Sequence, residues 1–310
     1  MNRKPLIIST DPGIDDAAAI TISLFAKELD VKAVVATWGN VSLERTLENS
    51  LKLETFLHTN VPVIKGANRP LLRKAISAAS VHGESGMAGY DFDKPDMNLL
   101  KPGLAATHIH EIISSSNEKV ILMGIGPLTD FALFINQYPE DLVNVEKFVL
   151  MGGNIDRGNF TAFSEYNFAG DPEAAQIVFQ SGVPIEVAPL ELGHIAQVTP
   201  NQMLEIKQYG EVGEMLYSLF TNIHEDTEGE GTEIYDATAV GMLLAPEIYT
   251  FKPATVEIEL DGRYTYGASV MDFKGYLEKP QNARIAVNVD TKKFAKWFVE
   301  AIKNANQGRK

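Results

Sequence analysis

The sequence predicts an α/β fold: an open, mostly parallel, Rossmann-like sheet with helices on both faces and additional C-terminal strands and helices. Three observations carry that prediction. Short apolar runs alternate with helical patterns along the chain. The runs are continuous rather than alternating, as strands covered on both faces require. Polar clusters follow several runs directly, and the carboxyl edge of such a sheet is where ligands bind.

Taken in order, strands are expected over residues 6–10, 31–37, 61–64, 120–124, 148–151 and 183–187. Between them, residues 43–57 place Leu43, Leu47, Leu51, Leu53, Phe56 and Leu57 among Glu44, Arg45, Glu48, Lys52 and Glu54, the pattern of a surface helix. Asp171-Pro172-Glu173 opens another helix with an acidic N-cap and proline at its first position. Runs at 254–260, 268–272 and 285–289 extend the same body. Two segments break the rhythm: 70–100, which holds His82-Gly83-Glu84-Ser85-Gly86, and an acidic stretch, 221–235, with His224, Glu225, Asp226, Glu228, Glu230 and Glu233. Both read as active-site loops of a single domain spanning 1–310. For the charges of the second, plain surface solvation is the simpler explanation.

Composition narrows the partners. The chain has 310 residues, with 27 Lys and Arg against 41 Asp and Glu, a formal charge of −14. That charge disfavours nucleic acid and anionic membrane and favours a small-molecule ligand. With no cysteine, disulfides and thiolate metal sites are excluded. Met1-Asn2-Arg3-Lys4-Pro5 leads into no signal-like segment and no run reaches transmembrane length, so a cytoplasmic protein is expected. Neither a Walker phosphate loop nor an HExxH zinc motif occurs. A metal phosphohydrolase with an aspartyl nucleophile is a distant alternative, because its first acid would fall at Ser9.

The most informative stretch is Ser9-Thr10-Asp11-Pro12-Gly13-Ile14-Asp15-Asp16, a strand–turn–helix junction with three carboxylates. Acids so close repel one another, and a turn needs at most one. Hard oxygen donors without cysteine or clustered histidine suit Ca²⁺ or Mg²⁺. The plainer alternative, acids favouring a helix N-terminus, explains one or two of them.

Together with Thr37-Trp38-Gly39-Asn40, Val81-His82-Gly83-Glu84-Ser85-Gly86, Met151-Gly152-Gly153, Asn167 and Asp171-Pro172-Glu173-Ala174-Ala175, this motif closely resembles the inosine-uridine-preferring nucleoside hydrolases through nearly the whole chain. The resemblance implies calcium-dependent hydrolysis of the N-glycosidic bond of ribonucleosides, giving ribose and a free base. It implies Ca²⁺ held by Asp11, Asp16, the carbonyl of Ile125 and Asp236, and a ribonucleoside held by Asp15, Asn40, His82, Met151, Asn159, Glu165 and Asn167. A homodimer or homotetramer is implied as well. Asp11 would take the proton of the attacking water, and carboxylates and amides would stabilise the ribosyl cation.

Two departures stand out. Tyr235 occupies the place before the last metal aspartate where better-known members have histidine, so base activation falls to Tyr235, His82 or His224. Ser9 replaces a further aspartate. From residues alone, Asp236 is as well explained as a helix N-cap, and Trp38 as core or as a stacking platform. His58, His108 and His110 fall on expected helices as structural or surface residues. An alternative function is a nucleoside-binding or regulatory homologue with impaired turnover.

Overall fold

The computed structural model describes residues 3–222 and 231–309. From the N-terminus the chain runs β1 (Lys4–Thr10), α1 (Ile14–Phe25), β2 (Leu29–Ala36), α2 (Leu43–Phe56), β3 (Val63–Lys65), α3 (Ala79–His82) and β4 (Leu100–Lys101). It continues through α4 (Ala105–Ser115), β5 (Val120–Gly124), α5 (Thr129–Gln137), β6 (Val145–Met151), α6 (Tyr166–Gly170), α7 (Pro172–Phe179) and β7 (Ile185–Ala188). Beyond these lie α8 (Leu190–Ile195), β8 (Gln197–Val198), α9 (Pro200–Lys207), α10 (Gly210–Phe220), β9 (Thr232–Glu233) and α11 (Asp236–Leu244). The chain closes with β10 (Tyr249–Ile258), β11 (Ser269–Asp272), β12 (Ala283–Val289) and α12 (Thr291–Gly308).

Ten strands form one sheet in the order β11-β10-β12-β7-β6-β5-β1-β2-β3-β4. All neighbours from β12 to β4 are parallel; β10 pairs antiparallel with both β11 and β12. The expected open, mostly parallel sheet is therefore present, and the late strands join its edge. Side chains of β1 show why both faces are covered. Leu6 and Ile8 pack with α1, α10, α11 and α12, whereas Ile7 faces the layer of α4, α5 and α7. The core extends through both layers, with Phe294 and Phe298 of α12 on one side and Phe131 and Phe148 on the other.

The strand order contains a switch point. From β1 the chain builds outward through β2, β3 and β4, then returns to place β5 on the other flank of β1, with Ser9 opposite Gly124. Connections leaving the carboxyl ends of β1 and β5 depart in opposite directions and open a crevice between them. Asp11 and Ile125 stand at its two lips.

Several local expectations meet specific outcomes. Asp171 caps α7 by accepting from the Ala174 amide at 3.2 Å, with Pro172 at the first position. Asp236 is not an N-cap: α11 starts at Asp236 itself and Tyr235 holds the cap position, leaving the aspartate side chain available to the crevice. Trp38 is core, 1% exposed, with its indole N–H donating to Thr129 Oγ1 at 3.1 Å. His108 and His110 lie on α4, whereas His58 lies just past α2 at a positive φ of 55°. Among the described residues, no helix is long and apolar enough to cross a membrane.

Candidate active site

At the carboxyl edge of the sheet, one pocket of about 320 Å³ collects residues from across the chain. One end is built by Asp15, Asn40, Ile125, Glu165, Asn167 and Asp236. Val81 and His82 of α3 line the pocket beside the three-acid loop, and Phe220 at the end of α10 with Thr232, Glu233 and Tyr235 on and beside β9 complete the lining.

The acids at the first end are held in unlike ways. Asp16, the third residue of α1, accepts from the Gly13 amide at 2.9 Å and from Thr10 Oγ1 at 2.5 Å, so it caps its own helix while facing the site. Asp11 is fully buried. Its Oδ2 accepts from the Asn40 amide at 2.7 Å, and its Oδ1 has no hydrogen-bond partner. Backbone closes on that carboxylate from two sides: a Cβ on Gly39 would come within 1.9 Å of Oδ2, and one on Gly126 within 2.2 Å of Oδ1. Asn40 ties the loops together, its side-chain amide donating to the Asp11 carbonyl at 3.1 Å and to Asp16 Oδ2 at 3.3 Å.

Oxygens of Asp15, Asp16 and Asp236 lie within 4.8 Å of one another, close enough to share one metal ion. Burial is the largest influence on each of these carboxyls and on Asp11, and it pushes all four pKa values up; mutual repulsion adds to the rise at Asp11, Asp16 and Asp236. A divalent cation would reverse that balance, because it compensates the charge that burial disfavours. The unpartnered Asp11 Oδ1 and an all-oxygen donor set fit such an ion. Asp15 enters this close group where the sequence reading had placed Asp11; the hydrogen bond from Asn40 holds Asp11 Oδ2 toward the β2 side.

Glu165 sits opposite. It caps α6, with Oε1 accepting from the Asn167 amide at 2.7 Å and Oε2 from the Gly153 and Phe168 amides at 2.7 and 3.1 Å. Gly153 reaches that geometry at φ +70°, in the left-handed region. Burial outweighs the three donors and pushes the Glu165 pKa up to about 7. Asn167 spans from Ile125 to Met151, donating to their carbonyls at 3.3 and 3.2 Å. Asn159 accepts from the Tyr166 amide at 2.9 Å. His82 Nδ1 accepts from the Ile14 amide at 3.2 Å, which leaves the proton on Nε2, and burial lowers its pKa.

The family model described as inosine-uridine preferring nucleoside hydrolase matches residues 6–296. The chain belongs to that family. It is 42% identical over 301 residues to the non-specific ribonucleoside hydrolase RihC of Klebsiella pneumoniae, covering 97% of this chain and 98% of the relative. The RihC of Escherichia coli is 40% identical over the same span of 301 residues, with the same coverage of each chain. Among solved structures, the purine-preferring ribonucleoside hydrolase of Gardnerella vaginalis aligns with a TM-score of 0.90 at 25% identity, over 98% of this chain and 99% of that one.

In this nucleoside hydrolase, the residues marked from sequence gather at one place. Asp15, Asn40, His82, Ile125, Met151, Asn159, Glu165, Asn167, Tyr235 and Asp236 line the pocket, and Asp11 and Asp16 stand immediately behind it, joined to Asn40. Other residues were not marked. Tyr166 lines the pocket and donates its hydroxyl to the Gly39 carbonyl at 3.0 Å. Asn154 accepts from the Glu165 amide at 3.0 Å and fixes the loop before α6. Glu233, read from sequence as a solvated flap acid, is 5% exposed and lines the pocket, because Tyr235 and His194 bind its carboxylate. His224 and the other flap acids up to Glu230 lie outside the described residues.

Proposed function

We propose that this chain hydrolyses the N-glycosidic bond of ribonucleosides with a Ca²⁺ ion in the pocket, the ribose lying against Asp15, Asn40, Asn159, Glu165 and Asn167. The observation that carries the reading is the meeting of the Asp15, Asp16 and Asp236 oxygens within 4.8 Å beside these hydroxyl-binding side chains. Asp11, Asp16, Asp236 and the Ile125 carbonyl would hold the ion. Ca²⁺, when bound, supplies Lewis acidity that makes a nearby water more acidic.

The residues divide the remaining work. Asp11, beside the ion, accepts the proton of the water that attacks C1′. The C1′–N bond breaks as the C1′–O bond forms, and the base departs with its bonding electrons and takes up a proton. Carboxylate and amide dipoles around the ribose favour the positive charge gathering at C1′ over the neutral ground state. On the base side, His82 presents Nε2–H while its other nitrogen is engaged by Ile14. Being held neutral by burial, it acts as a hydrogen-bond donor to the departing base. The Tyr235 hydroxyl donates instead to Glu233, so His82 is the readier donor of the two. A homo-oligomer fits the exposed aromatic side chains Phe160 and Tyr264, which share one shallow cleft.

The test is ribose release from inosine, adenosine, uridine and cytidine, with Ca²⁺ and with chelator. Release that requires the cation supports the reading. Tight nucleoside binding without release, or full activity in chelator, overturns it.

A further inference from the structure

We propose that His194, which lies outside the pocket on α8, is a positioning residue for the nucleobase: with Glu233 it fixes Tyr235, whose ring then forms a rigid wall at the base end. The inference rests on the reading above and extends it to a residue with no role there.

Three contacts build the arrangement. Nδ1 of His194 lies 2.9 Å from Glu233 Oε2 and 3.4 Å from the Tyr235 hydroxyl, and that hydroxyl donates to the same Glu233 oxygen. The two rings meet edge to face, with centroids 5.9 Å apart at 81°. Immediately before His194, Gly193 gives the tyrosine room, since a Cβ there would stand 2.1 Å from Tyr235 Cδ1. The turn Gly193-His194 therefore seats the ring from below and holds its polar end from the side. Glu233 reaches the same point because β9 pairs antiparallel with β8, placing Glu233 opposite Gln197, a short step beyond α8. Of these residues Tyr235 and Glu233 line the pocket, and His194 stands behind them.

A tyrosine has two rotatable side-chain bonds and a broad χ2, so an unanchored ring at a pocket wall would sample several positions. Anchoring the hydroxyl removes that freedom before substrate arrives, which favours binding of a planar base. The expected signature is specific to the base. His194→Ala should raise KM for nucleosides about tenfold. Affinity for 1,4-dideoxy-1,4-iminoribitol, a ribose mimic with no base, should stay within about twofold, since the His194 side chain bonds Glu233 and Tyr235 rather than the side chains of the sugar end.

Four proteins decide the matter: wild type, His194→Ala, Tyr235→Phe and the double variant, with His194→Asn as a fifth that keeps a donor near Nδ1. If His194 acts through the Tyr235 hydroxyl, the double variant is no worse than Tyr235→Phe, and His194→Asn recovers most of the nucleoside KM. Additive losses, or equal weakening of iminoribitol and nucleoside, would overturn the inference while leaving the hydrolase reading intact. A wild type that releases no ribose from any nucleoside would overturn both.

Discussion

A methyl group on Gly126 would stand 2.2 Å from Oδ1 of Asp11, a buried carboxylate oxygen at the sheet edge that accepts no hydrogen bond among the described residues. Glycine there keeps open the space that the oxygen faces. Gly126→Ala must therefore displace Asp11 or the loop after β5, and a shift of ~1 Å in a reacting group costs on the order of 100-fold in rate. We expect kcat/KM for inosine to fall at least that far with circular dichroism unchanged. Near-wild-type turnover in Gly126→Ala would remove Asp11 Oδ1 from the chemistry.

Cation binding should be visible without any substrate. Ca²⁺ at about 100 times its Kd stabilises the folded state by about 2.7 kcal/mol, a rise in Tm of roughly 4 °C for a chain of this size. Asp236→Asn should abolish that rise. In chelator the same variant should melt at or above wild type, because it replaces a carboxyl whose ionisation burial and the neighbouring acids oppose with a neutral amide. Scanning calorimetry of both proteins with and without Ca²⁺ gives all four values.

Glu165 links activity and stability to pH with opposite signs. Its folded pKa, about 7, lies above the ordinary carboxyl range, so between about 4.5 and 7 the folded protein holds a proton that the unfolded chain has released. Stability then falls as pH rises through that window, a slope shared with Glu54 and Asp130, which burial raises to about 7 and about 6. Activity should move the other way: kcat/KM rises toward pH 7 as Glu165 gains the charge that favours a cationic sugar. In Glu165→Gln the rate should sit at a low plateau without that limb, and the Tm slope should shrink.

Ser9 gives a prediction about stability alone. Its hydroxyl is buried on β1 with no hydrogen-bond partner, so removing it discards an unmet polar group. Ser9→Ala should leave Tm unchanged or raise it by about 1–2 °C, corresponding to about 1 kcal/mol. Kinetic constants should hold within about twofold, because Ser9 does not line the pocket and its bond with the neighbouring Ile125 is made by its carbonyl, which accepts from the Ile125 amide. A marked loss of activity would assign the hydroxyl a role in the metal end.

The sheet was legible because its strands are unbroken apolar runs, and a run such as Val120–Gly124, buried at every position, marks a strand covered on both faces. The three-acid loop was legible because it directly follows such a run. What escaped depended on contacts across the fold. Asn154 matters through the Glu165 amide, and His194 through a tyrosine 41 residues away; neither carries a local pattern. Strands β4, β8 and β9 have two residues each, too short for any periodicity to register. The capping alternative for Asp236 failed for a related reason: one residue decides whether a carboxylate turns back onto its helix or away from it.

The pocket's two ends differ in what supports them. On the proposed reading, the side chains toward the sugar come largely from segments that follow strands in the middle of a ten-stranded sheet, while the opposite wall hangs on a two-stranded ribbon and helix ends outside it. Substitutions in the ribbon can accumulate without disturbing the bond-breaking machinery. Lineages built on this scaffold are free to exchange one aglycone for another while the grip on ribose stays fixed.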